Sequence, residues 1–180
     1  ALLKDILSGE IADPYGCTED IKNRIIRHID DKKFGEDPLR ALRAAQFRSR
    51  FGFQVAPSTI SICSALDLRN LSAERVEMEM KKALLESRRP SEFFECLREM
   101  GQLGYWFQEL EQLIGLEQNP EFHPEGDVWT HTMMVLDRAA QFRPYASDPY
   151  AFMLLALTHD FGKITTTEFV NGAIHAYGHE

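Results

Sequence analysis

Cysteine is scarce in this chain, and what there is does not pair up. Cys17, Cys63 and Cys96 are the only three, odd in number and far apart, which argues against a disulfide framework and gives no metal-ligand spacing. They read as small packing residues of a reducing compartment. No hydrophobic run approaches the length needed to span a bilayer, and the N-terminus lacks the basic-then-apolar order of a signal peptide. The expectation is a cytoplasmic protein with no membrane partner. Positive charge is short as well: 20 Lys and Arg against 28 Asp and Glu leave a net charge of −8. That excludes a generally basic nucleic-acid surface, so any such contact must be local. Lys32-Lys33, the cluster from Arg40 to Arg50 and Arg88-Arg89 are the candidate patches, and each also fits an ordinary solvated face.

What is present is enough apolar residue for a real core in one large domain or two small ones. Residues 5 to 16 read as a hairpin with Ser8-Gly9 at its turn. From about Glu19 helical patterning takes over. Asp37-Pro38 starts one helix. Ser72 caps another, with Val76, Met80, Ala83 and Leu84 at helical spacing, and Ser91 caps a third that Gly101 ends. Residues 115 to 124 carry Asn119-Pro120 and His123-Pro124 and read as a loop or linker. Beyond it, Asp127 caps a helix bearing His131, and Asp148-Pro149 opens an apolar helix ending in His159-Asp160. Asn171-Gly172 reads as a turn.

The segment from Asp13 to Phe47 is the most informative. An ionised Asp only accepts hydrogen bonds and Arg only donates, so Asp37 and Arg40, three residues apart at a helix start, can together address the mixed edge of a nucleobase. The same residues also fit plain helix capping. Asp13-Pro14-Tyr15-Gly16, Asp20, Arg27 and then Glu36-Asp37-Pro38-Leu39-Arg40 resemble, in order, the neck of bacterial tRNA nucleotidyltransferases, the CCA-adding enzymes, and of their poly(A) polymerase relatives. Cys17 departs from that pattern, which commonly has a second Gly there.

The resemblance implies a mainly α fold: a β-hairpin remnant of the catalytic head and connector over 1–33, a helical neck and body over 34–119, and a helical HD-type domain over 120–180. It implies that Asp37 and Arg40 select the base, with Arg43 in support and Glu36 holding Arg40. Asp13, Gly16, Asp20 and Arg27 would support the neck, and Glu74-Arg75 would brace it. The partners implied are tRNA, CTP and ATP. The family's head uses Mg2+ on an Asp-x-Asp pair. No such pair precedes Asp13, so the expectation is a C-terminal portion that adds no nucleotide by itself.

Five of the six histidines, His123, His131, His159, His175 and His179, fall in the last third of the chain. A lone His on a helix is usually structural, but His159-Asp160 closing an apolar helix is a polar pair that needs partners, and imidazole with carboxylate suits divalent metals. His131 with His159-Asp160-Phe161-Gly162-Lys163 resembles an HD metal phosphohydrolase. The resemblance implies Mg2+, Mn2+ or Ni2+ on His131, His159 and Asp160, with His175 and His179 as further candidates, and a closing Asp beyond Glu180. His123 reads as a loop residue. Three rival functions stay open: a poly(A) polymerase of the same family, a stand-alone HD phosphohydrolase acting on nucleotides or cyclic phosphates, and a catalytically silent RNA-binding module.

Overall fold

The computed structural model describes residues 2–170 and 173–178. It is mainly helical, as expected. A short hairpin pairs β1 (Leu3–Lys4) with β2 (Ile11–Ala12), antiparallel, Leu3 facing Ala12. The Asp5 carboxylate accepts from the Leu7 and Ser8 N–H groups and Gly9 turns at φ 74°. The strands thus lie outside this turn, and residues 13 to 16, expected within the hairpin, form the lead-in to a helix.

That helix, α1 (Cys17–Lys22), follows Gly16 in the left-handed region. A parallel two-residue pair follows, β3 (Ile25–Ile26) with β4 (Gln54–Val55), bracketing α2 (Asp31–Gly35) and α3 (Leu39–Phe51). Helix α3 is central. Leu39, Ala41, Leu42, Ala44, Ala45, Gln46, Arg48 and Ser49 are all buried, because α3 packs against both α5 (Ala73–Glu86) and α6 (Ser91–Glu99). Between α3 and α5, α4 (Pro57–Ser64) starts on its proline.

Two expected caps change. Ser72 precedes α5 but makes no side-chain bond to the helix backbone. Ser91 lies inside α6, following Pro90, and its N–H and hydroxyl donate to Asp137 at 3.0 and 2.8 Å. Gly101 does end that helix, at φ 65°, with the Gln102 N–H returning to the Leu97 carbonyl.

After α7 (Gln108–Gln112) and the expected loop come α8 (Val128–Phe142) and α9 (Pro149–Thr158). Asp127 and Asp148 cap them through the N–H groups of Thr130 and of Tyr150 and Ala151. One apolar core runs from Leu39 through an edge-to-face cluster of Phe93, Phe94 and Phe107 to Trp129, Leu136 and Leu157. The chain then forms α10 (Lys163–Thr166) and an antiparallel hairpin of β5 (Thr167–Val170) and β6 (Ala173–Ala176). The expected Asn171-Gly172 turn and His179 lie outside the described residues.

Candidate nucleotide-reading neck and candidate metal centre

The candidate neck is built from short carboxylate clamps. Asp13, three residues before Gly16, accepts from the Cys17 and Thr18 N–H groups at 2.8 and 2.7 Å and so satisfies the start of α1. The Thr18 N–H above all holds the Asp13 carboxyl below its ordinary range. Asp20 takes the Arg27 Nε on both oxygens, at 3.1 and 3.0 Å, and ties α1 to β3. Arg75, in the first turn of α5, sets Nη2 on both oxygens of Asp37, at 3.0 and 2.9 Å. Glu74 sits beside it with a lowered carboxyl, held by its own N–H and by the Ser72 hydroxyl.

Asp37 also accepts from the Leu39 N–H at 3.2 Å, so it does cap α3 while keeping lone-pair capacity on a half-buried carboxylate. Arg40 donates to the Lys33 carbonyl at the end of α2. Glu36 stands at that same end, its own N–H on the Lys33 carbonyl. Arg40 and Arg43 line a cleft of about 260 Å³ together with Arg27, His28, Phe34 and Phe47, and the Arg43 guanidinium lies over the Phe47 ring at 5.8 Å. The cleft therefore joins fixed donors to aromatic faces.

The basic cluster of residues 40 to 50 divides. Arg48 turns inward to Glu92 at 2.9 Å and Glu99 at 2.6 Å, and Arg50 pairs with Glu86 at 2.5 Å. Those glutamates keep the Arg48 guanidinium charged despite burial. Arg43 is exposed, as are Lys32, Lys33, Arg88 and Arg89.

The second site lies where α8, the end of α9 and β6 meet. His131, His159, Asp160, Lys163 and His175 line one cavity of about 410 Å³, with Phe122, His123 and Tyr177 also on its wall. Asp160 is 3% exposed. Its Oδ2 lies 3.4 Å from His159 Nε2, 3.7 Å from His131 Nε2 and 2.9 Å from Lys163 Nζ. Lys163, also buried, donates in addition to Gln118. His175 stacks on Tyr177 with ring centroids 5.1 Å apart.

These donors suit a divalent cation. His159 Nδ1 lies 3.0 Å from the Ala156 carbonyl, which only accepts, so the neutral ring carries its proton on Nδ1 and turns a lone pair at Nε2 towards Asp160. A second imidazole nitrogen and a buried carboxylate converge on the same point, and His131, His159 and Asp160 hold ligand atoms within 4.8 Å of one another. Acceptors facing acceptors in a shielded place favour a positive charge between them.

The family described as "Probable RNA and SrmB- binding site of polymerase A" matches residues 52–114. The chain is 42% identical over 180 residues to the "Multifunctional CCA protein" of Actinobacillus pleuropneumoniae serotype 5b (strain L20), spanning 96% of this chain and 43% of that protein. It is 44% identical to the protein of the same name from Cupriavidus metallidurans, over 91% and 39%. The chain belongs to the CCA-adding enzyme family. It spans about two fifths of the length of these curated relatives. Among solved structures it is similar to a tRNA nucleotidyltransferase complexed with a primer tRNA and an incoming ATP analog, at 26% identity and TM-score 0.59 over 83% of this chain and 42% of that one. A tRNA-processing enzyme in an apo form gives 28% identity and TM-score 0.57, over 83% and 41%.

Within this CCA-adding family chain, the sequence reading missed Glu125 and set His123 aside. Glu125 Oε1 lies 2.6 Å from His131 Nδ1 and 3.0 Å from His123 Nδ1, and its own N–H, followed by these two rings, holds its carboxyl at about 2. The only sequence signal was a carboxylate between two histidines in a loop, which has no fixed spacing to recognise.

Proposed function

We propose that this chain is the neck, body and HD-type portion of a tRNA nucleotidyltransferase that adds CMP and AMP to the tRNA 3′ end from CTP and ATP. The observation that carries this reading is the Arg75 clamp on Asp37 at the start of α3, beside a cleft that holds Arg40 and Arg43 against aromatic rings. Asp37 supplies acceptors and Arg40 donors to the base edge, Arg43 supports the base, and Phe34 or Phe47 offers a stacking face. Glu36 keeps the end of α2, and thus Arg40, in place. Residues 1–33 act as the remnant of the head and the connector, 34–119 as the nucleotide- and RNA-binding neck and body and 120–180 as the HD-type domain. Nucleotide addition itself takes place in a Mg2+-dependent head that precedes this portion, in the cytoplasm.

In the HD-type portion, His131, His159 and Asp160 would hold Mg2+, Mn2+ or Ni2+, with His175 on the cavity wall facing a phosphoester. Such an ion supplies an acidified water and polarises a phosphoryl oxygen. Lys163 pairs with Asp160 at 2.9 Å in its buried place.

The test uses the full-length parent protein with a tRNA lacking its 3′ end and labelled CTP and ATP. Ordered incorporation of CMP and then AMP supports the reading. Runs of AMP alone would replace it with the poly(A) polymerase reading, which the match of residues 52–114 to a polymerase A region keeps as the second candidate.

A further inference from the structure

We infer that Glu125 is a positioning residue that fixes His131 in its Nδ1–H form, turning the Nε2 lone pair to His159 and Asp160. The inference rests on the metal reading of that cavity. His131 stands between two sets of partners: Nδ1 is 2.6 Å from Glu125 Oε1, and Nε2 is 3.7 Å from Asp160 Oδ2. A neutral imidazole has one N–H and one lone pair, so it can donate on one side only. The distances decide which side. A short contact to an ionised carboxylate is a charge-assisted bond, whereas 3.7 Å is beyond hydrogen-bond range.

The same oxygen of Glu125 reaches His123 Nδ1 at 3.0 Å, and the two rings meet edge to face at 4.8 Å. Glu125 thereby assigns a proton to each ring. The loop that carries Glu125 is fastened directly after it, because Asp127 caps α8 and also accepts from the Gly115 N–H at 2.7 Å. His159 reaches the same tautomer by another route, through the Ala156 carbonyl. Two independent acceptors thus leave two Nε2 lone pairs facing one carboxylate. Coordination through the half-buried group of His123, Glu125 and His131 would use up the acceptor that sets this arrangement, so the group that includes the buried Asp160 is the one that binds.

The test uses the whole 180-residue chain, nitrogen-15 labelled and metal-free at about pH 8, above the ordinary imidazole range, and then titrated with nickel alone. In the native chain His131 should show a protonated Nδ1 and an unprotonated Nε2. In Glu125→Ala the ring should move to the Nε2–H form and nickel affinity should fall about 10- to 100-fold. Glu125→Gln, whose amide oxygen still accepts, should keep the native form and most of the affinity. Unchanged circular dichroism shows that each variant is folded. An Nε2–H ring in the native chain, or a Glu125→Ala variant with the native tautomer, overturns the inference. Absence of nickel binding by a native chain that does show the Nδ1–H form overturns the metal reading and supports the tautomer assignment.

Discussion

Arg75 grips Asp37 across 38 residues of sequence, one guanidinium nitrogen lying 3.0 and 2.9 Å from the two carboxylate oxygens. Both side chains are about half exposed or less, so the pair contributes little to stability, on the order of 0–1 kcal/mol. Its effect is to fix where the Asp37 acceptors point. In the full-length parent, Arg75→Ala should therefore erode the choice between CTP and ATP about tenfold while leaving the melting temperature nearly unchanged. Asp37→Ala and Arg40→Ala should do at least as much. Combining Arg75→Ala with Asp37→Ala should add little to either single change, and full additivity would show that the two act separately.

Arg48 predicts the opposite pattern. Its guanidinium is enclosed by α3 and α6 and bound to Glu92 and Glu99, so removing it takes a cation from both carboxylates and leaves Glu92 with Arg89 at 3.0 Å. Because both glutamates keep some solvent contact, Arg48→Ala should cost about 2 kcal/mol, less than a fully buried pair would. Urea denaturation measures this directly. Discrimination between nucleotides should survive in the folded fraction, and a loss there equal to that of Arg40→Ala would mean that charge in general, and not the placed pair, reads the base.

How much of this was legible follows from what each signal depends on. Asp127 and the Asp148-Pro149 pair announced α8 and α9 correctly, because a cap acts on its own next few residues. The three-residue spacing of Asp37 and Arg40 was likewise local. Arg48 was read as surface because its burial depends on α6, more than 40 residues away. Ser91 was read as a cap because its true partner, Asp137, belongs to another helix. The two-residue pairing of β3 with β4 is too short to have a period, and Glu125 joins the histidine cluster only through the path of a loop.

Asp127 gives a pH-dependent prediction. Burial raises its carboxyl, but bonds from the Thr130 hydroxyl and the N–H groups of Gly115 and Thr130 outweigh it, and the folded value lies below the ordinary 3.8. The unfolded chain then binds the extra proton first. Its contribution is present in full above about pH 4 and is lost as pH falls through the lower folded value. Asp127→Ala should cost about 1–2 kcal/mol at neutral pH, and the gap between variant and native chain should narrow below pH 4. A gap that widens on acidification would contradict the assignment.

The cysteines should separate by burial. Cys63 and Cys96 are fully enclosed, and burial pushes both thiols up to about 12, so little thiolate exists to react. Cys17, partly exposed at the start of α1, should be alkylated first, with the other two following only in denaturant. Equal labelling of all three in the native chain would show that the core opens on the timescale of the reaction.

The last prediction separates metal binding from folding at Asp160. Lys163 Nζ is buried beside it at 2.9 Å, so Asp160→Asn removes an anion that serves two cations, one resident and one proposed. The metal-free chain should already lose stability in Asp160→Asn, by about 2–3 kcal/mol, because a buried ammonium then faces neutral acceptors, Gln118 among them, and loses its anion. His159→Ala removes a ring that is about one-third exposed and that meets the Ala156 carbonyl, Asp160 and the His131 ring. It should leave metal-free stability within about 1 kcal/mol. Both variants should nevertheless lose most nickel binding by calorimetry, since each removes one of three ligand groups. His175→Ala, on the cavity wall, should retain it. If His159→Ala bound nickel as the native chain does, the cluster would be an ion-pair network that holds Lys163 inside the protein and nothing more.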